Sequence, residues 1–345
     1  MLAAILNGID CLDVREVPAP QPDRDSLLIR VRACAVCGSD IRILHHGSPR
    51  VTYPAIPGHE IAGEVVEVGS DVQGWCVGDR VAMAGDIHCG VCSFCRDGHG
   101  NNCHVNLALG YQFPGGFAEY LVAPPQLLRY GPIHRIPPGL SFAEAALAEP
   151  LACAINGVEL SQVHLGSSVV VIGAGPLGCM LVALARLMGA APVIAVQRSP
   201  ERLRVALQYG ADVGVCTQQE DAVERVLQET GGEGADVVLV AAASTEAQAD
   251  ALRMVRHRGR VNFFGGLPKG TPPLPLDANA VHYKEYYLHG AHGSVPRQHR
   301  LALSLLGRGR IAVEPLISHR FPLAQIREAF AVAEDRSGMR VVVEP

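Results

Sequence analysis

Lysine is almost missing from this 345-residue chain: only Lys269 and Lys284 are present, and arginine supplies the other basic side chains. That bias fits the base composition of a host genome as well as any role, so it carries no functional weight. Also missing is any basic block, which with a formal net charge of -5 argues against nucleic acid as a partner. No apolar run reaches the roughly twenty residues that a spanning helix needs, so no membrane partner is expected. The N-terminal stretch Met1 to Asp10 has no basic flank and breaks its apolar run at Asn7 and Gly8, so it does not read as a signal peptide. Low-complexity segments and internal repeats are absent too. What remains, 48% hydrophobic and 18% charged, suffices for two ordinary globular cores. Eleven cysteines, an odd number, without an export signal point to a reducing, cytoplasmic setting in which thiols bind metal or pack inside.

Four of those cysteines form the run Cys89-Gly-Val-Cys92-Ser-Phe-Cys95-Arg-Asp-Gly-His-Gly-Asn-Asn-Cys103. Sulfurs two residues apart can face one point, and Gly90, Gly98 and Gly100 supply the tight turns of such a lobe. Reduced loop thiols are the plainer reading, but the spacing suits a tetrahedral zinc. With all four positions held by thiolate, that zinc has no opening for substrate and is structural.

Pattern divides the chain into three. Residues 1–148 carry short β-branched runs between Pro and Gly turns: Ser26-Leu-Leu-Ile-Arg-Val-Arg-Ala33, Gly63-Glu-Val-Val-Glu-Val-Gly69, Asp79-Arg-Val-Ala-Met-Ala84 and Gly116-Phe-Ala-Glu-Tyr-Leu-Val122. These suit a partly open β-barrel. Residues 149–290 alternate strand and helix patterns, the reading for an α/β doubly wound parallel sheet. The tail from 291 to 345, with an amphipathic stretch over Arg297–Leu306 and a strand-like Met339–Val343, is expected to return to the first part.

The buried strand Val169-Val-Val-Ile172 runs into Gly173-Ala174-Gly175-Pro176-Leu177-Gly178 and then a helical apolar stretch, the context that a dinucleotide-binding glycine turn requires. The first glycine permits the turn, the second admits a pyrophosphate, and the third lets helix and strand approach. The pyrophosphate then sits on a helix N-terminus. At the end of the next strand, where an acid would bind both ribose hydroxyls, stands Gln197, followed by Arg198, Ser199 and Arg202. A neutral residue does not repel a 2′-phosphate, and arginine can hold one bidentately, so NADP(H) is favoured over NAD(H). Arginines at a helix start can also be a solvated face, and Glu201 lies close by, so NAD(H) stays open.

A second metal site is suggested by scattered residues: Cys37-Gly-Ser39-Asp40 after a strand, Gly58-His59-Glu60 after a Pro-rich loop, and Glu149-Pro150 at the junction of the first two regions. Thiolate, imidazole and carboxylate together are the mixed donor set of a catalytic zinc with an open position.

With these motifs the chain resembles, over essentially its full length, the zinc-dependent medium-chain dehydrogenases of the alcohol and polyol dehydrogenase family. Val68-Gly-Ser-Asp-Val-Gln-Gly-Trp-Cys-Val-Gly78-Asp79-Arg80-Val81 and Ile317-Ser-His-Arg-Phe-Pro-Leu323 add to the likeness. Glu149-Pro150 is similar to the sorbitol and threonine dehydrogenase branches, where simple alcohol dehydrogenases place a cysteine. Gln197-Arg198-Ser199-Pro200-x-Arg202 resembles NADPH-linked ketose reductases.

The resemblance implies a GroES-like partly open barrel joined to a Rossmann domain, with two zinc ions per chain. Cys37 and His59 would be ligands of the catalytic one, Glu60 and Glu149 sharing the remaining positions directly or through water. Ser39 would relay the alcohol proton, and hydride would pass between substrate and nicotinamide. The implied reaction interconverts a secondary alcohol and a ketone of a polyol, sugar or related small molecule. A threonine-like amino-alcohol dehydrogenase is the alternative, and a non-catalytic zinc- and nucleotide-binding protein a third reading. The segment Glu285–Gly290 resembles the one through which relatives pair their sheets, so a homo-oligomer, dimer or tetramer, is expected. Two departures stand out. Arg42 replaces a relay histidine, with His45 and His46 nearby, and Ala291-His292-Gly293-Ser294 replaces an Arg-Tyr pair that contacts polyol hydroxyls.

Overall fold

Alternation of buried and exposed side chains along Leu27–Ala35 is what a strand with one face on a core requires, and this strand is central to a seven-stranded sheet. The computed structural model describes residues 1–345 and separates into two units, Met1–Ala152 with Gly293–Pro345, and Cys153–His292. In the first unit the sheet order is Ile317–Pro322, Arg340–Glu344, Leu27–Ala35, Glu60–Val68, Arg80–Met83 and Ile133–Arg135, with Tyr120–Ala123 also on Leu27–Ala35. Ile29, Val31, Ile61, Val65, Met83, Phe117 and Val343 fill its core. The C-terminal strand thus lies antiparallel beside Leu27–Ala35, with Val342 opposite Ala35, while Glu60 faces Ala35 from the other side.

The run from Gly116 enters the ladder only at Tyr120. Before it, the backbone is pressed on the Pro57–Gly58 segment so closely that a Cβ on Gly115 would stand 2.2 Å from the Gly58 carbonyl oxygen. Close approach, rather than strand pairing, decides that segment.

The second unit holds six parallel strands in the order Val213–Cys216, Val193–Gln197, Val169–Ile172, Ala235–Val240, Val255–Phe263 and Tyr287–Gly290. The first three strands in chain order grow outward one way and the later three the other, so a topological switch point lies between Val169–Ile172 and Ala235–Val240. All four residues of Val169–Ile172 are buried, as both faces of the sheet are covered. The side chains of Ser199, Asp221 and Ser244 each accept backbone N–H bonds from the first turn of the helix that they cap. Helix Ala148–Leu160 runs through the boundary between the units, whose division falls after Ala152, a few residues beyond the 148/149 junction read from pattern. The first turn of that helix, with Glu149, belongs to the barrel unit.

Candidate active site

The sulfurs of Cys89, Cys92, Cys95 and Cys103 lie within 4.8 Å of one another. Cys92 is 3.4 Å from Cys95 and 4.0 Å from Cys103, and Cys89 is 3.9 Å from Cys95. Four sulfurs about 2.3 Å from a zinc form a tetrahedron with edges of about 3.8 Å, so the cradle already has the required size. Every corner is sulfur, which leaves the site no open position.

The second cluster joins residues from separate elements of the barrel unit. Cys37 precedes helix Gly38–His46, His59 and Glu60 open strand Glu60–Val68, and their Sγ, imidazole and carboxylate atoms lie within 4.8 Å of one another. His59 is nearly buried and Glu60 completely so. Asp40, also buried, accepts from the Cys37 backbone N–H at 2.9 Å with one carboxylate oxygen and stands 3.3 Å from His59 Nδ1 with the other. It thereby fixes the helix start and the imidazole together, and turns Nε2 toward the cluster. Ser39 Oγ is 3.3 Å from that same Nε2.

Arg340, at the start of the C-terminal strand, pairs with Glu60 Oε1. Glu60 Oε2 is buried and meets no donor. Burial, with the Glu60 carboxylate close by, pushes Glu149 up to about 7. Two carboxylates, Glu60 and Glu149, and the Cys37 thiol thus act on one guanidinium, and a buried excess of anionic donors is what a divalent cation neutralises. The set of one sulfur, one nitrogen and one unsatisfied carboxylate oxygen fits zinc. Glu149 is coupled electrostatically to Glu60 and His59.

In the nucleotide unit, Gly173 takes φ +104, in the left-handed region. A Cβ on Gly178 would fall 1.8 Å from the Gly173 carbonyl oxygen, whereas one on Gly175 would meet only Arg202 Nη1, at 3.6 Å. The second glycine is therefore open to a ligand, and the third is demanded by packing. Pro176 and Leu177 begin helix Pro176–Leu187, whose N-cap is Gly175. Gln197 ends its strand and accepts from the Arg198 N–H, and Arg198 is exposed. Ser199 caps helix Pro200–Gln208 and donates to Glu201, so its hydroxyl already serves the helix.

Of the residues singled out from sequence, Cys37, Ser39, His59 and Glu60 converge, Glu149 borders them, and the four lobe cysteines meet. His45 does not face the cluster. It is ion-paired with Asp10 and, at 3.1 Å, with Glu334. The His292 side chain is exposed, and its carbonyl accepts from Asn156 Nδ2 at 3.2 Å. Sequence reasoning missed Arg340, 280 positions from its partner Glu60. It also gave no role to Asp40, although an acid at the third position of a helix start is a readable signal.

Residues 23–132 match the alcohol dehydrogenase GroES-like domain family, and residues 176–308 the zinc-binding dehydrogenase family. A sorbitol dehydrogenase of Halalkalibacterium halodurans is 32% identical over 98% of this chain and 97% of its own. An L-threonine 3-dehydrogenase of Bacillus licheniformis is 35% identical over 95% and 94%. Among solved structures, a chain from Sinorhizobium meliloti, described as a zinc-binding dehydrogenase bound to NADP, superposes with a TM-score of 0.93 at 34% identity, over 100% of this chain and 99% of that one. Full-length likeness, both cysteine-bearing sites and the strand–turn–helix of the nucleotide unit place this chain in the zinc-dependent medium-chain alcohol dehydrogenase family.

Proposed function

We propose that the protein is an NADP(H)-preferring dehydrogenase that interconverts a secondary alcohol and a ketone of a polyol, sugar or related hydroxylated compound. The observation that carries this reading is the buried Cys37–His59–Glu60 donor set with the Ser39 hydroxyl on its rim. Zinc held by these residues would supply Lewis-acid activation of the substrate oxygen. The chain does the rest. Asp40 holds the His59 ring, and Arg340 fixes one oxygen of Glu60 and leaves the other for the metal. Ser39 is within hydrogen-bond reach of the ligand nitrogen, so it borders the position of the substrate oxygen and can take its proton. Glu149, buried and titrating near 7, is a second carboxylate that can join or leave the metal's surroundings. The lobe cysteines would hold a second, structural zinc, giving two per chain.

NADP(H) is supported by neutral Gln197, exposed Arg198 and the reach of Arg202 to Gly175. The NADP-bound likeness from Sinorhizobium meliloti adds to this. A polyol is supported by the sorbitol dehydrogenase likeness, and the threonine dehydrogenase likeness favours an amino alcohol as the second reading. Strand Tyr287–Gly290 ends its sheet with Tyr287 52% exposed, which supports sheet pairing between two copies. Eleven free cysteines, four of them in a thiolate cradle, support a reducing cytoplasmic setting. The test is steady-state turnover of sorbitol, erythritol and L-threonine with NADP⁺ and with NAD⁺, and of the matching ketones with the reduced cofactors. The reading expects a polyol with NADP⁺ to give the highest kcat/KM. Threonine oxidation alone would transfer the assignment to the second reading.

A further inference from the structure

Arg50 lies on the segment between helix Gly38–His46 and strand Glu60–Val68, the two elements that begin at the metal ligands. Its guanidinium carbon is 4.6 Å from the centre of the Tyr111 ring. That ring in turn is 6.0 Å from the His59 ring, and its hydroxyl is hydrogen-bonded to Ser39. Arg50 is thus one aromatic ring away from the residue that borders the reacting oxygen.

Arg340, withdrawn from water beside the metal ligands, has the Glu60 carboxylate. Arg50 has none. Its Nη2 donates to the Asn106 carbonyl at 2.7 Å and, more weakly, to Asn106 Oδ1 at 3.3 Å, both neutral acceptors. Its Nε is buried without an acceptor. A guanidinium carries five N–H donors, and two neutral oxygens on one nitrogen leave most of them unused. Stacking on Tyr111 fixes its plane, so no large entropy is lost when an anion binds. A partly buried cation with neutral protein partners is under-compensated, and an anion brought by the substrate would correct this.

We propose that Arg50 recognises an anionic group, a phosphate monoester or a carboxylate, carried by the alcohol substrate at the end remote from the reacting carbon. This rests on the dehydrogenase reading above and narrows its substrate class. Tyr111 is the platform that aims the guanidinium.

The test compares wild type, Arg50→Gln and Arg50→Lys on three substrates: a pentitol, its terminal phosphate ester and its aldonic acid. Arm by arm, the phosphate and the carboxylate are told apart. In the wild type kcat/KM is expected to favour one anionic substrate over the neutral pentitol. In Arg50→Gln that ratio falls about 10- to 100-fold, mainly through KM, and Arg50→Lys recovers part of it. If Arg50 only held the Asn106 turn, all three substrates would lose equally and the ratio would stay put, which overturns the proposal. So would a wild type that prefers the neutral pentitol. Calorimetric binding of the pentitol phosphate and the aldonate to wild type and Arg50→Gln needs no turnover. If no alcohol is oxidised the dehydrogenase reading fails, while tighter binding of either anion to wild type than to Arg50→Gln still supports anion recognition, and equal binding refutes it.

Discussion

Gly175 and Gly178 stand in one turn but answer to different constraints, and single methyl groups separate them. An added Cβ on Gly178 overlaps a backbone oxygen at 1.8 Å, which cannot move without parting helix Pro176–Leu187 from strand Val169–Ile172. Gly178→Ala should therefore cost about 3 kcal/mol or more, read as a lowered unfolding midpoint. Gly175→Ala meets only a flexible guanidinium at 3.6 Å, so it should fold normally and raise KM for the nucleotide. Equal stability losses in the two variants would contradict these roles. On the proposed reading, one side chain contributes strongly to cofactor choice. Gln197→Asp places a carboxylate at the strand end where the ribose is read, and should raise KM for NADP⁺ about tenfold or more while lowering it for NAD⁺. Unchanged KM values would remove Gln197 from the discrimination.

Between elements, strand Ile133–Arg135 and helix Pro296–Gly307 meet through two imidazoles, with His134 Nδ1 and His299 Nδ1 2.9 Å apart. Such a contact needs one donor and one acceptor, so the two rings cannot both be protonated. Burial, aided by the neighbouring His134, pushes His299 down to about 3, and burial with Arg300 pushes His134 down to about 4. The folded pair refuses protons that the unfolded chain accepts below about 6.5, so stability falls as pH drops from there toward 3–4. His299→Gln should flatten this dependence between pH 6.5 and 4 relative to wild type in urea unfolding. Loss of zinc in acid affects both proteins and cancels in the comparison. Parallel slopes would show that the pair does not titrate with folding.

Across the whole molecule, what could be read from sequence was what is local in sequence. The Cys89–Cys103 run and the glycine turn after Val169–Ile172 each declare themselves within a dozen or so positions, because the same few residues make the geometry. Cys37, His59, Glu60 and Glu149 were legible as a candidate set from their donor types, strengthened by resemblance, since nothing in spacing says that they share a site. Arg340 was not legible at all: its place beside Glu60 follows from the C-terminal strand pairing with Leu27–Ala35, a register set by the core. Arg50 escaped for a related reason, because its significance lies in the carboxylate that it lacks.

The central claim is that Cys37, His59 and Glu60 hold a zinc distinct from the one in the cysteine lobe. Zinc content per chain of wild type and Cys37→Ser, each measured by atomic emission on folded protein, tests it most directly. The account expects two zinc ions in wild type and one in Cys37→Ser, with turnover lost and the lobe intact. One zinc in both proteins, with activity retained in the variant, would contradict it.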